Sequence, residues 1–109
     1  MKREPDQKPT TKAPDAADQR PGLPVSLGQL VATPGALAAL SRHEILTAVS
    51  RHTRGDWGDC GPEDTAENDL SLGQHLRLFS VYHAADGTKF WVITEADRSA
   101  TTVLLPEEY

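Results

Sequence analysis

Charged side chains that could do chemistry gather in two short segments of the chain. The first runs from His52 to Asp59, and the second runs from Thr94 to Ser99 directly after an apolar strand. Together they hold several carboxylates, two arginines, a histidine and a tryptophan. Loops at the ends of regular elements are where binding and catalytic side chains usually lie. These two segments are therefore the candidate functional regions.

One interpretation of these segments is a small enzyme or an anion-binding domain. Its candidate catalytic residues are Arg54, Asp56, Glu95, Asp97 and Arg98. Glu95 would act as a general base while Arg54 or Arg98 grips an anionic substrate. The alternative is structural: an arginine bridges two loops and Asp97 accepts N–H bonds within its own turn. Because no spacing here is diagnostic of a reaction, enzymatic activity stays open and the sequence favours its absence.

Metal binding is a weaker version of the same idea. His52, Asp56 and Asp59 have an H-x3-D-x2-D spacing, and Asp56, Asp59, Glu95 and Asp97 offer oxygen ligands for a hard divalent cation. A third strong ligand is not evident beside His52, so no metal is predicted. The chain also lacks a glycine-rich phosphate loop and other cofactor motifs, so no cofactor is predicted.

Acidic residues dominate the stretch from Asp56 to Asp69, which contains six carboxylates and no Lys or Arg. The simpler interpretation is a solvated helix face with acids near its N-terminus. The alternative is a docking surface, or a nucleic-acid mimic, that occupies the basic groove of a partner protein. The predicted binding residues are Asp56, Trp57, Asp59, Glu63, Asp64 and Glu67.

The charge balance divides the chain into two parts. Residues 1–24 hold five Lys and Arg against four Asp and Glu, whereas residues 25–109 hold six against twelve, a net charge of −6. Since Leu23 is the only large apolar residue of the first part after Met1, we predict a disordered tail over 1–24 and a single α+β domain over 25–109. The acidic balance argues against direct nucleic-acid binding. A DNA-binding regulator acting through the basic tail is a third interpretation.

The pattern also bears on location and partners. No apolar run approaches the roughly 18 residues that a bilayer requires, and no signal-peptide pattern follows Lys2 and Arg3. We therefore expect a cytoplasmic protein that does not contact membranes. A protein partner is expected, and a homodimer is a further expectation, because both faces of the predicted strands carry apolar side chains.

Helix signals come first along the domain and strand signals come last. Thr33 followed by Pro34 predicts a helix start, the Ser41-x-x-Glu44 capping box predicts a second, and Pro62 predicts a third that ends near Asp69. Period-two segments follow at residues 76–83, 90–95 and 101–105, with an Asp-Gly hairpin turn between the first two. We predict an α+β fold in which two to three short N-terminal helices pack on a three- to four-stranded antiparallel meander sheet.

Four segments of the chain are similar to one family of proteins. They are residues 27–37, 54–59, 93–99 and 104–109, which read LGQLVATPGAL, RGDWGD, ITEADRS and LLPEEY. Over residues 27–109 the chain resembles the small uncharacterised bacterial proteins called plasmid-related. The resemblance implies a bacterial protein of mobile elements and transfers no activity. We therefore expect a small acidic, non-enzymatic interaction or regulatory protein that counters a host defence protein by protein–protein contact.

Overall fold

The computed structural model describes residues 25–109, so the disordered tail predicted for residues 1–24 lies outside it. Three helices and four strands make up the described part, which confirms the α+β class. In chain order the elements are β1 (Gln29–Ala32), α1 (Pro34–Ala39), α2 (Arg42–Thr53), α3 (Pro62–Gln74), β2 (Leu78–His83), β3 (Lys89–Thr94), β4 (Ala100–Leu104) and a 3₁₀ turn (Pro106–Glu108).

The capping signals place the starts of α1 and α2 correctly. The Thr33 hydroxyl accepts the N–H of Ala36 at 3.3 Å, and Pro34 occupies the first helical position. At α2 the capping box is complete: Ser41 Oγ accepts the Glu44 N–H at 3.0 Å, and Glu44 Oε1 accepts the Ser41 N–H at 2.9 Å. Local hydrogen bonding within a few residues therefore sets both boundaries.

Helix α3 is longer than the sequence predicts. It continues past Asp69 to Gln74 and ends at His75, whose φ of 56° puts it in the left-handed conformation of a helix cap. Gly73 lies inside the helix, although glycine there costs about 1 kcal/mol relative to alanine. Ser71, two residues earlier, is 3% exposed, so this side of the last turns faces the interior.

The sheet is mixed rather than wholly antiparallel, with the strand order β1-β4-β3-β2. Strand β3 pairs antiparallel with both β2 and β4, whereas β1 pairs parallel with β4. The prediction of a wholly antiparallel sheet is therefore wrong at β1. A short turn forces neighbouring strands to run antiparallel, but β1 and β4 are separated by all three helices, so packing decides their relative direction.

One face of the sheet carries the main core, and α1 and α2 cover it. Ala36 of α1, Leu40 directly after α1, and Ile45, Ala48 and Val49 of α2 are buried. They pack against Tyr82, Phe90, Val92 and Val103 of the sheet and against Ala84 beyond β2. The apolar positions of α2 recur at helical spacing, which turns one side of that helix toward the strands. Position and orientation of α2 are therefore set by burial of this stripe.

Strand β2 is an edge strand whose outer backbone groups are covered. The Asn68 side chain of α3 donates to the Phe79 carbonyl at 2.6 Å and accepts the Phe79 N–H at 2.9 Å. Two residues along, the Val81 N–H donates to the Trp57 carbonyl at 3.0 Å. Gly58 makes this approach possible, because a Cβ there would lie 2.0 Å from the Val81 carbonyl oxygen. This edge therefore cannot accept a further strand.

Replacing Asn68 with leucine should destabilise the domain by about 2 kcal/mol, because two backbone groups of Phe79 lose their partners in a partly buried site. Urea denaturation would measure the loss, and hydrogen exchange should speed up at the Phe79 amide. The Asn68→Asp variant keeps the side-chain size but sets an oxygen against the Phe79 carbonyl, so it should lose stability as well. Wild-type stability in both variants would contradict this role of Asn68.

Candidate functional site

Arg98, a candidate for gripping substrate, is a buried residue that binds the backbone. It is 7% exposed and lies in the turn between β3 and β4. Its guanidinium donates to the carbonyl oxygens of Leu76 at 2.7 Å, Ser71 at 3.0 Å, and Glu95 and Ala96 at 3.2 Å each. These bonds hold both terminal nitrogens, whereas the buried Nε has no hydrogen-bond partner among residues 25–109.

The position of Arg98 also explains how α3 ends. The last turn of a helix leaves carbonyl groups without partners and carries a partial negative charge. No basic residue lies in the last turn of α3, and Arg98 supplies the cation from another element through its bond to the Ser71 carbonyl. Arg98 therefore ties the end of α3 to the β3–β4 turn.

The carboxylates beside Arg98 have different surroundings. Asp97 Oδ1 accepts the Ser99 N–H at 3.0 Å, a bond of the kind expected for a turn residue, and its hydrogen bonds to Ser99 lower the pKa of Asp97. Glu95 is exposed, and its backbone carbonyl accepts the Arg98 N–H at 2.9 Å. Both carboxylates are exposed, and neither lies in a closed site of the kind that holds a general base.

The other predicted loop is held by its own contacts. Arg54 is exposed and donates to the Ser50 hydroxyl one helical turn earlier. Asp56 accepts two hydrogen bonds from Arg51, at 2.7 and 3.2 Å, and this pairing lowers the pKa of Asp56. Arg54 and Arg98 thus have separate partners, and the five proposed catalytic residues divide into two local networks instead of one cleft.

His52, a weak metal candidate, is fully buried within a chain of hydrogen bonds. Its Nδ1 lies 2.6 Å from Ser80 Oγ, and its Nε2 lies 2.8 Å from Thr94 Oγ1. Thr94 Oγ1 lies 2.8 Å from Thr101 Oγ1, whose proton goes to the Leu27 carbonyl. Since each hydroxyl has one proton, Thr94 donates to Thr101 and accepts from His52, which fixes the Nε2–H tautomer. Both ring nitrogens are therefore engaged.

The other two metal candidates, Asp56 and Asp59, form their bonds with residues other than His52. Asp59 Oδ2 is 2.8 Å from Nδ1 of His83, and Asp56 is paired with Arg51. Over residues 25–109, no three His, Cys, Asp or Glu side chains come together in a way that could hold a metal ion.

Trp57, one of the predicted binding residues, is part of a second, smaller core. It is 4% exposed, packs with Val25 and Leu78, and donates from Nε1 to Asp69 Oδ1 at 3.1 Å. Its ring meets His52 edge-on, with 5.5 Å between the centroids. This ring therefore stabilises the interior and is not presented to a partner in this structure.

The predicted acidic residues of α3 are the ones that lie on open surface. Glu63, Asp64 and Glu67 are exposed, and together they line a shallow depression on the helix. None of the three forms an ion pair with any other residue among 25–109. They are therefore exposed carboxylates without a direct ion-pair partner in this part of the chain.

Two of these carboxylates, Asp64 and Glu67, also border a cleft with an aromatic wall. The cleft has a volume of about 350 Å³, and we call it the aromatic cleft. Its other lining residues are Asn68, Arg77, Phe79, Trp91 and Tyr109. Residues from α3, from the second face of the sheet and from the C-terminal segment therefore meet at one place.

The aromatic wall is a row of edge-to-face contacts. The rings of Phe79 and Trp91 have centroids 5.0 Å apart and planes at 72°, and those of Trp91 and Tyr109 are 5.6 Å apart at 71°. Arg77 lies over the Tyr109 ring, with 5.4 Å from its Cζ to the centroid, and also bonds the Tyr109 hydroxyl. This ring thus already faces one cation within the protein.

Strand register and one turn create this arrangement. Val81 lies opposite Trp91 in the β2–β3 pair, so Phe79 and Trp91 are diagonal neighbours on the same face. The 3₁₀ turn then brings Tyr109 against Trp91. The sequence analysis missed the cleft, although the apolar side chains on the second strand face were the signal that could have indicated it.

No family model, no curated protein and no solved structure matches this chain. The resemblance to plasmid-related proteins therefore stays a prediction. None of the helices within residues 25–109 is long and apolar enough to span a membrane.

Proposed function

We propose that this protein is a small interaction protein, not an enzyme, that holds a basic segment of a protein partner in the aromatic cleft. The observation that carries the proposal is the combination of aromatic rings with the carboxylates of Asp64 and Glu67, which have no ion-pair partner among residues 25–109. Rings and carboxylates both favour the same ligand group, which is a guanidinium or an ammonium.

The chemistry of the cleft selects for such a side chain. A cation above an aromatic face gains about 0.5–2 kcal/mol, depending on how far water is excluded. A nearby carboxylate adds a charge-assisted hydrogen bond, and Arg can make two such bonds to one carboxylate. The internal pairing of Arg77 with Tyr109 supports this choice, because it is the same contact made within the chain.

The charge of the domain favours the same class of partner. Residues 25–109 carry a net charge of −6, which would attract a basic surface and speed the encounter. The same charge repels phosphates, so it supports a protein partner over a nucleic acid.

The proposed partner is a protein of host defence. The resemblance to proteins of mobile elements supports a host defence protein as the partner. A basic groove that normally binds nucleic acid would also attract an acidic protein domain such as this one. In that role the protein would act as a regulator by occupying the groove.

A synthetic peptide of alternating Arg and Gly residues should bind the full-length protein. The change in tryptophan fluorescence should report binding through Trp91, which lines the cleft, whereas Trp57 is buried elsewhere. Glu67→Gln should weaken binding about fivefold to tenfold, which corresponds to about 1.0–1.4 kcal/mol. Tyr109→Ala should weaken it by a similar factor, because Tyr109 is 68% exposed and its ring, with Arg77 over one face, forms part of the cleft wall.

The matched control is Glu95→Gln, which removes one exposed carboxylate outside the cleft. It should leave the affinity within about twofold of wild type, because screening weakens distant charges. Equal losses in Glu67→Gln and Glu95→Gln would show that net charge alone attracts the peptide. That result, or the absence of binding, would contradict the proposed cleft.

A further inference from the structure

Strand β1 forms the other end of the sheet, and no strand among residues 25–109 covers its outer side. Gln29 donates to the Ser99 carbonyl at 3.0 Å, and Thr33 donates to the Val103 carbonyl at 3.0 Å. Odd-numbered residues of β1 thus direct their backbone groups toward β4, and the alternation of a strand turns those of Leu30 and Ala32 outward. Within residues 25–109 no strand pairs with that outer side.

Most side chains at this edge are apolar, and the charged residue that lines the groove beside it is Arg42. Leu30 is 42% exposed and Val31 is 40% exposed, which is high for neighbouring residues of a strand. Leu30 also lines a groove of about 430 Å³ together with Leu37 and Leu46, whose exposures are 63% and 49%. Both the backbone and the side chains of this edge are therefore suited to burial.

Strand β1 is short, but its four residues include neither a charged side chain nor a proline. Edge strands commonly carry a charge, a proline or a bulge that blocks a second strand. Residues 25–41 contain no charged side chain at all, although residues 25–109 carry a net charge of −6. Two copies of this acidic domain can therefore approach through this edge with the least repulsion.

We propose that the outer edge of β1 pairs antiparallel with the β1 edge of a second copy, giving a symmetric dimer with a continuous sheet. With the two-fold axis beside Val31, Leu30 of each copy exchanges hydrogen bonds with Ala32 of the other, and the two Val31 side chains meet. Leu30 then packs over the grooves that Leu37 and Leu46 line. This proposal does not depend on the function proposed for the aromatic cleft.

Sedimentation equilibrium of the full chain from micromolar to millimolar concentration tests the dimer. The wild type should reach twice the monomer mass of 11.8 kDa. Leu30→Lys should raise the dissociation constant roughly a hundredfold, because symmetry places the new charge in the interface twice. Leu70→Lys is the matched control, since Leu70 is 53% exposed on α3, away from β1.

Several outcomes would overturn the proposal. One is a wild type that stays monomeric at millimolar concentration, and another is a dimer that survives Leu30→Lys but is lost in Leu70→Lys. A monomer with slow hydrogen exchange at Leu30 and Ala32 would assign the edge to another part of the same chain. Thermal unfolding of both lysine variants shows whether each is folded, and Val31→Lys, on the opposite strand face, repeats the test.

Discussion

Replacing Arg98 with alanine should lower the unfolding temperature by about 12–24 °C. The change leaves the carbonyls of Ser71 and Leu76 without their charged donor and removes the cation from the end of α3. Buried acceptors that lose a partner cost about 1–3 kcal/mol each, so a total near 3 kcal/mol is expected. A domain of this size shifts by about 4–8 °C per kcal/mol. Calorimetry would measure the shift.

Arg54→Ala is the matched control for this prediction. Arg54 is exposed and bonds a single hydroxyl, so its loss should change stability by less than about 0.5 kcal/mol. Arg98→Lys should fall between wild type and alanine, because lysine keeps the charge but lacks the planar set of donors. Equal unfolding temperatures for Arg98→Ala and Arg54→Ala would show that the carbonyl contacts of Arg98 add nothing to stability.

Acidification from pH 7 to pH 4 should remove about 3 kcal/mol of stability through His52 alone. Burial, with a smaller contribution from the charge of Arg98, lowers the pKa of His52 from 6.5 to about 4. Between these values the unfolded chain binds a proton that the folded chain does not. Stability is therefore complete above about pH 6.5 and falls by about 1.4 kcal/mol per pH unit below it.

Urea denaturation at a series of pH values would measure this dependence. His52→Gln should be less stable at neutral pH, yet its stability should lose the slope between pH 6.5 and pH 5, since glutamine does not titrate. His43→Gln is the control, because His43 is exposed on the same helix. Carboxylates with lowered pKa values, such as Asp56 and Asp97, contribute only at more acidic pH. A wild type with no slope in this interval would contradict a buried neutral His52.

Parts of this fold that depend on near neighbours could be predicted from the sequence. The hydrogen bonds of the Thr33 cap and of the Ser41–Glu44 capping box join residues three positions apart, so the residue types alone are enough to predict both helix starts. The parallel pairing of β1 with β4 could not be predicted, because it joins residues about seventy positions apart whose relative direction no turn determines. The end of α3 was missed for the same reason, since its cation comes from Arg98.

In the candidate site, too, features set by near neighbours could be predicted from the sequence, and features set by distant contacts could not. Sequence reasoning identified Asp64 and Glu67 as exposed acids on a helix, which needs only local periodicity. It did not find Phe79 and Trp91 as neighbours, because their contact depends on the exact register of β2 and β3. Asn68 was passed over as well, although asparagine is a weak helix former whose presence inside a helix often has a tertiary reason.

The covered edge at β2 determines how far association through β1 can go. Asn68 and the Trp57 carbonyl occupy the outer backbone groups of that strand, so each copy offers one open edge in the described sheet. Pairing of two β1 strands uses the open edge of both copies at once. In the proposed dimer, growth would end at an eight-stranded sheet and would not propagate into a fibril, although β1 carries no charge.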